Sequence, residues 1–140
     1  MKKDVLIKIK GVQQDDTGEI NSSETVAHGE YYFRNGSHYI LYEETDEDSG
    51  GKVKSSLKLK GNTLELVKKG TVDSRMTFES GKSHTADYAT PFGMLRMETV
   101  TSRILFSERE ERFQIKAEYE LWANGTFVSK CKLTIDLEPI

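Results

Sequence analysis

Cysteine, proline and long apolar runs are all scarce in this sequence. It has one cysteine among 140 residues, Cys131, and two prolines. A single cysteine excludes an internal disulfide and a cysteine-based zinc site, and it fits a reducing cytoplasm. No run approaches the roughly 18 apolar residues needed to cross a bilayer as a helix, and Lys8 and Lys10 interrupt the apolar start that a signal peptide would need. We therefore predict a cytoplasmic protein with no membrane partner.

Charges are many but nearly balanced. Lys and Arg number 20 and Asp and Glu 23, which gives a formal net charge of −3. This balance gives no general attraction for nucleic acid, although Lys52, Lys54, Lys58 and Lys60 share one face of a predicted strand. Lysines on a strand also discourage pairing with other chains, so nucleic acid is not an expected partner. The length predicts one domain over residues 1–140, with a core that needs no disulfide or metal.

Alternation of apolar and polar residues runs through most of the chain and is typical of strands with one buried face. The pairs Asn35-Gly36 and Asn124-Gly125 each predict a tight hairpin. Segment 13–27 lacks a clear period and is predicted as a loop, a short helix or a flap that gates a cavity. No segment has a sustained helical period. The pattern predicts an all-β fold: a closed or nearly closed antiparallel up-and-down barrel of about ten strands, with a two-sheet sandwich as the alternative.

The most specific part of the sequence is the run YATPFGMLRMETVT at residues 88–101. Together with GEYY at 29–32, YILYE at 39–43 and MTFESG at 76–81, it resembles the YwiB-like proteins, a bacterial family of unknown function. The resemblance covers nearly the whole chain and implies a calycin-like barrel akin to lipocalins and fatty-acid-binding proteins. The family has no assigned catalytic or binding residues, so the resemblance implies no activity and carries over no site.

Polar residues on a predicted inward face supply the candidate site. Thr99, Thr101 and Arg103 share one phase of the strand at 92–106, and their donors could fix a carboxylate or phosphate head group inside a barrel. Tyr88 is a further candidate on the preceding strand. The alternative is a bulge near Val100 that turns Arg103 out to water, or an acidic partner for Arg103 at the barrel rim.

The sequence contains no catalytic or cofactor signature. The three histidines have no metal-ligand spacing. Asp46 and Asp48 begin a pattern like that of a calcium loop, but position twelve is Leu57 rather than glutamate. We therefore predict no metal site and no cofactor. Catalysis stays open only through groups that converge from distant strands, and the sequence favours a protein that is not an enzyme.

We interpret the chain as a non-catalytic barrel that binds a small amphipathic or anionic ligand. The alternative is a protein–protein interaction module, a packed barrel without ligand that forms a homodimer. Trp122 and Val128 share an outward phase and would mark its apolar patch. Phe127, Ser129 and Cys131 are predicted to face inward on the last strand.

Overall fold

Ten antiparallel strands follow one another through the part of the chain that the structure describes. The structure is a computed structural model that describes residues 3–45, 50–70 and 73–140, without the side chains of residues 89 and 90. The strands are β1 (Lys3–Asp15), β2 (Ile20–Arg34), β3 (Ser37–Thr45), β4 (Lys52–Lys60), β5 (Thr63–Gly70), β6 (Ser74–Glu79), β7 (Ser83–Thr90), β8 (Gly93–Arg109), β9 (Arg112–Ala123) and β10 (Thr126–Pro139). They form one sheet in the order β6-β5-β4-β3-β2-β1-β10-β9-β8-β7. The predicted all-β, nearly closed barrel is confirmed.

The middle of the sheet joins the first strand to the last. β1 pairs with β10 from Val5↔Pro139 to Asp15↔Ser129, and consecutive hairpins add strands on both sides until β6 and β7 become the edges. Because β6 and β7 are consecutive in the chain, their turn brings the two edges of the curled sheet together. At this turn the Gly81 N–H donates to the Thr101 carbonyl at 2.9 Å, and the Thr101 N–H donates to the Lys82 carbonyl at 3.0 Å.

Among the described residues, three hairpin turns hold both central residues at positive φ. The predicted turns Asn35-Gly36 (52° and 78°) and Asn124-Gly125 (49° and 80°) have the φ signs that a type I′ turn requires. The β8–β9 turn has the same signs at Glu110 (51°) and Glu111 (68°). Glutamate adopts this conformation less readily than asparagine or glycine, so this third turn carries no sequence signal.

Apolar side chains fill much of the barrel, and aromatic rings close the end at which β1 begins. The core contains Val5, Ile7, Tyr31, Ile40, Tyr42, Leu57, Leu59, Leu64, Phe78, Ile115, Ile135 and Leu137. At the closed end the His38 ring lies 4.9 Å from the ring centroids of both Phe33 and Phe106, and its Nδ1 lies 2.6 Å from the Tyr31 hydroxyl. Burial lowers the pKa of His38 despite the nearby charge of Glu108, which favours a neutral ring.

Segment 13–27 comprises the end of β1, a turn at residues 16–19 and the first half of β2. β1 and β2 pair from Lys3↔Tyr31 to Gln14↔Ile20, and β1 stays bonded to β10 over the same stretch. The residues from Ile20 to Glu24 are exposed. Polar residues therefore occupy both faces here, and the alternation that identifies a strand is missing. The prediction of a loop, a short helix or a flap is therefore wrong for all of this segment except the turn.

A bulge in β10 changes one predicted face. The pairing of β9 with β10 shifts between Phe127 and Ser129, which aligns Phe127 with Trp122 on the outer face, where their rings meet at 5.6 Å. The inward prediction for Phe127 is wrong because the bulge adds one residue to the strand. Ser129 and Cys131 are buried as predicted, and Val128 is 39% exposed.

The predicted absence of a calcium loop and of a membrane-spanning helix concerns particular segments of the chain. Asp46 and Asp48, which begin the pattern like that of a calcium loop, lie outside the described residues. Within the ranges that are described, no helix has the length and apolar character needed to cross a bilayer.

Candidate ligand-binding site

The edge strands β6 and β7 diverge from their common turn. The Lys82 N–H closes the turn by donating to the Glu79 carbonyl at 2.9 Å. Beyond it, side chains bridge the strands: His84 Nε2 lies 2.8 Å from Glu79 Oε1, and the Tyr88 hydroxyl donates to the Arg75 carbonyl at 2.7 Å. No backbone ladder joins β6 to β7 in the part of the chain that the structure describes. A gap spanned by a tyrosine side chain is wider than the roughly 4.8 Å between paired strands.

A cavity of about 650 Å³ opens at this gap. Small-molecule sites commonly enclose roughly 300–1,000 Å³, so the volume suits one small ligand. Most of its walls come from the inward faces of β6, β7, β8 and β9, together with the far end of β1, and Arg75 borders it from the outer face of β6. The lining side chains include Gln13, Asp73, Ser74, Arg75, Met76, His84, Ala86, Tyr88, Leu95, Met97, Thr99, Tyr119 and Leu121.

Strand register aligns a row of polar side chains beside this cavity. Thr101 aligns with Tyr119, Tyr119 with Cys131, and Cys131 with Gln13. Burial raises the pKa of both the Tyr119 hydroxyl and the Cys131 thiol. The thiol is therefore neutral and a poor nucleophile at neutral pH. The row can donate and accept hydrogen bonds, and it brings no formal charge into the barrel.

Two of the predicted site residues line the cavity and a third lies beside it. Tyr88 and Thr99 are in the wall. Thr101, two positions after Thr99 on the same face of β8, is 2% exposed. Its Oγ1 is buried without a hydrogen-bond partner. A buried hydroxyl without a partner lowers the stability of the fold by about 1–3 kcal/mol. Because it has no partner in the protein, the Thr101 hydroxyl can donate to or accept from a ligand.

Arg103, the fourth predicted site residue, does not lie at the cavity. The register of β8 against β9 shifts between Thr101 and Arg103, and the bulge turns the Arg103 side chain to the outer face. There it is 57% exposed and its Nε donates to Glu118 Oε2 at 2.7 Å. The prediction of an inward Arg103 is wrong. Both features of the alternative interpretation are present: a bulge turns Arg103 outward, and Arg103 pairs with the acidic residue Glu118.

Sequence reasoning missed three lining residues at the mouth: Gln13, Asp73 and Arg75. Gln13 lies in the stretch predicted as a loop, and the other two flank the start of β6. Arg75 brings a positive charge, and its Nη1 lies 3.7 Å from Glu65 Oε1. These three residues lie near one another because β6 separates from β7 at this point. The alternation of residues along a single strand does not predict where two strands separate.

Titratable groups at the edge of the cavity are paired. Hydrogen bonds from His84 and Lys82 hold the pKa of Glu79 below its ordinary value. Among the side chains that the structure describes, no three His, Cys, Asp or Glu residues group closely enough to hold a metal ion. The site can hold a ligand by apolar contact and hydrogen bonds, with Arg75 and the His84–Glu79 pair at its entrance.

Comparison with known proteins matches both the sequence and the fold. The family model described as Domain of unknown function (DUF1934) matches residues 7–135. The uncharacterized beta-barrel protein YwiB of Bacillus subtilis (strain 168) is 30% identical over 117 residues, which are 84% of this chain and 80% of that protein. The crystal structure of ywiB protein from Bacillus subtilis aligns with a TM-score of 0.84 at 27% identity, covering 99% of this chain and 93% of that one. The predicted resemblance to YwiB-like proteins is confirmed.

Proposed function

The chain belongs to the family described as Domain of unknown function (DUF1934), and we propose that it is a non-catalytic protein that binds a small amphipathic or anionic ligand inside its barrel. One observation carries the proposal: a cavity of about 650 Å³ opens where the two sheet edges meet without a ladder. A barrel packed solid along its whole length would leave no such space. The calycin-like barrel implied by the family resemblance fits this proposal, as does a cytoplasmic location for a chain with one free thiol.

The lining suits a ligand with an apolar body and one polar end. Met76, Leu95, Met97 and Leu121 supply the apolar wall. The hydroxyl groups of Tyr88, Thr99 and Thr101 supply hydrogen bonds. A negatively charged end would lie at the mouth beside Arg75, which takes the role predicted for Arg103. The pair of Arg75 with Glu65 is exposed and weak, so it competes little with a bound carboxylate or phosphate.

Entry between β6 and β7 requires few bonds to break. The contacts of Tyr88 with the Arg75 carbonyl and of His84 with Glu79 cross the gap. Two side-chain bonds, one exposed and one part-buried, contribute little net free energy. Opening a paired ladder would instead break one backbone bond after another. The gap is therefore the entrance in this proposal.

Native mass spectrometry of the protein purified from cells tests the proposal. We expect a bound mass on the order of a few hundred daltons, which denaturation releases for identification. Leu121→Trp places a larger ring in the cavity and should abolish the bound mass. Arg103→Ala is the matched control: it changes an outward side chain and should leave the bound mass in place.

Two outcomes would contradict ligand binding in the barrel. One is a bound mass that survives Leu121→Trp in a variant that still folds, as judged by circular dichroism. The other is a wild-type protein without bound mass that also gains no thermal stability from a panel of fatty acids and small anionic metabolites.

A homodimer is the second candidate, and exposed apolar residues on adjacent hairpins favour it. Phe92 is 100% exposed, Met94 64% and Val128 39%. Trp122, predicted to mark this patch, is half-buried and its Nε1 donates to Glu120 at 3.2 Å. Sedimentation velocity should then show a dimer that Met94→Lys dissociates. A monomer at all concentrations would exclude this candidate.

A further inference from the structure

A second concave surface lies on the outside of the barrel, across β2 to β5. This outer groove encloses about 760 Å³. Its floor is apolar: Leu41 and Val67 are half-buried on the outer face, and Ser56 lies between them in the register. Exposed faces of antiparallel sheets are usually polar, so an apolar floor in a depression marks a place where a ligand can gain contact area.

Acidic residues at the outer groove already have partners. Glu43 Oε2 lies 3.9 Å from Lys52 Nζ, and Glu65 Oε1 lies 3.7 Å from Arg75 Nη1. These ion pairs partly offset the charges of Glu43 and Glu65, although the register also places Glu43 opposite Lys54 and Glu65 opposite Lys58.

Two of these lysines face each other. Lys54 of β4 is directly opposite Lys69 of β5. Both line the groove, and no carboxylate of the described residues forms an ion pair with either of them. Like charges directly opposite on a sheet are destabilising. An anion placed between the two ammonium groups would remove that repulsion and accept charge-assisted hydrogen bonds from both.

The other end of the outer groove offers an aromatic wall. The Tyr39 ring stacks on Tyr32 at 4.8 Å and 13°, and Lys58 Nζ lies 5.6 Å from the Tyr39 ring centroid. Lys58 and Lys54 are four positions apart on β4, roughly 13 Å along a strand. Leu41 and Val67 occupy the space between, which is long enough for a flat ring and one acid group.

We propose that the outer groove binds a small aromatic anion, an aryl carboxylate or aryl phosphate. The ring lies on Leu41 and Val67 beside Tyr39, and the acid group lies between Lys54 and Lys69. This site does not depend on ligand binding inside the barrel, since Arg75 alone is shared between the residues lining the groove and those lining the cavity.

Thermal denaturation and calorimetry with phenyl phosphate test the outer groove. We expect phenyl phosphate to raise Tm, and inorganic phosphate at equal ionic strength to raise it less because it lacks the ring. The double variant Lys54→Gln with Lys69→Gln should weaken phenyl phosphate binding by at least about tenfold. Without ligand, that variant should be at least as stable as the wild type, because the repulsion is gone.

Two matched variants distinguish binding in the outer groove from binding elsewhere on the barrel. Lys60→Gln removes a lysine from the same face of β4 outside the groove, and it should leave the affinity unchanged. Leu121→Trp fills the barrel cavity and should also leave it unchanged. The proposal is overturned if phenyl phosphate gives no rise in Tm, if the double variant binds as tightly as the wild type, or if Leu121→Trp abolishes binding.

Discussion

Thr101→Val removes a hydroxyl that is buried without a partner and keeps the branched shape of the side chain. An unsatisfied buried hydroxyl costs about 1–3 kcal/mol, so its removal should stabilise the unliganded protein by about 1–2 kcal/mol after small repacking losses. For 140 residues the entropy of unfolding is roughly 0.3 kcal/mol per kelvin. The expected rise in Tm is therefore about 3–7 °C.

Urea denaturation followed by the fluorescence of Trp122, the single tryptophan, measures this change as a shift in midpoint at constant m-value. Thr101→Ser is the control, since it keeps the hydroxyl and loses a methyl group, and it should destabilise by about 1 kcal/mol. A valine variant less stable than wild type by about 1 kcal/mol, at the same m-value, would refute the reasoning, because the hydroxyl would then have a partner such as a buried water. The valine variant should also bind the proposed barrel ligand more weakly, a common exchange of function for stability.

Three further predictions concern other parts of the barrel. Gly29→Ala should destabilise by about 1–3 kcal/mol, because a Cβ there would overlap Ile7 Cδ1 and the Leu41 carbonyl oxygen; an unchanged urea midpoint would contradict this. Changing Glu110-Glu111 to Asn-Gly should raise Tm by a few degrees, since positive φ costs these glutamates about 1 kcal/mol or more, and a lower Tm would show that the glutamates make contacts outweighing the strain. The hydrogen bond from Arg103 holds the pKa of Glu118 below its ordinary 4.5, so the ion pair stabilises the fold above that pH and is lost as pH falls through the folded-state pKa. Glu118→Gln should therefore flatten the acid side of the profile of Tm against pH, and a variant profile parallel to that of the wild type would count against the pairing.

Local chemistry made much of the fold predictable. Asparagine and glycine tolerate positive φ, so two pairs in the sequence were enough to locate the hairpins at Asn35-Gly36 and Asn124-Gly125. Alternation identified the buried face of β4 and of most of β9 because one face of each strand meets the core. These signals depend on residues that are neighbours along the chain.

Features that depend on an added residue or on distant strands could not be predicted in the same way. The bulge after Thr101 reverses every later side chain of β8, and no glycine or proline marks it. Arg103 was therefore assigned to the wrong face, whereas Thr99, which precedes the bulge, was assigned correctly. The inward face of Tyr88 could be predicted from the alternation of its own strand. Its hydrogen bond to the Arg75 carbonyl could not, because that bond depends on how the curled sheet closes between β6 and β7.

The pairing of β1 with β10 has a consequence for how the protein is made. These strands meet over eleven aligned positions in the middle of the sheet, although more than a hundred residues separate them. Contacts between residues so far apart in sequence form slowly, because a long loop must close first. During synthesis β1 has an unpaired edge until β10 leaves the ribosome, and an unpaired edge can pair with other chains. Synthesis of β10 therefore completes the sheet and also covers the edge of β1 through which the unfinished chain could aggregate.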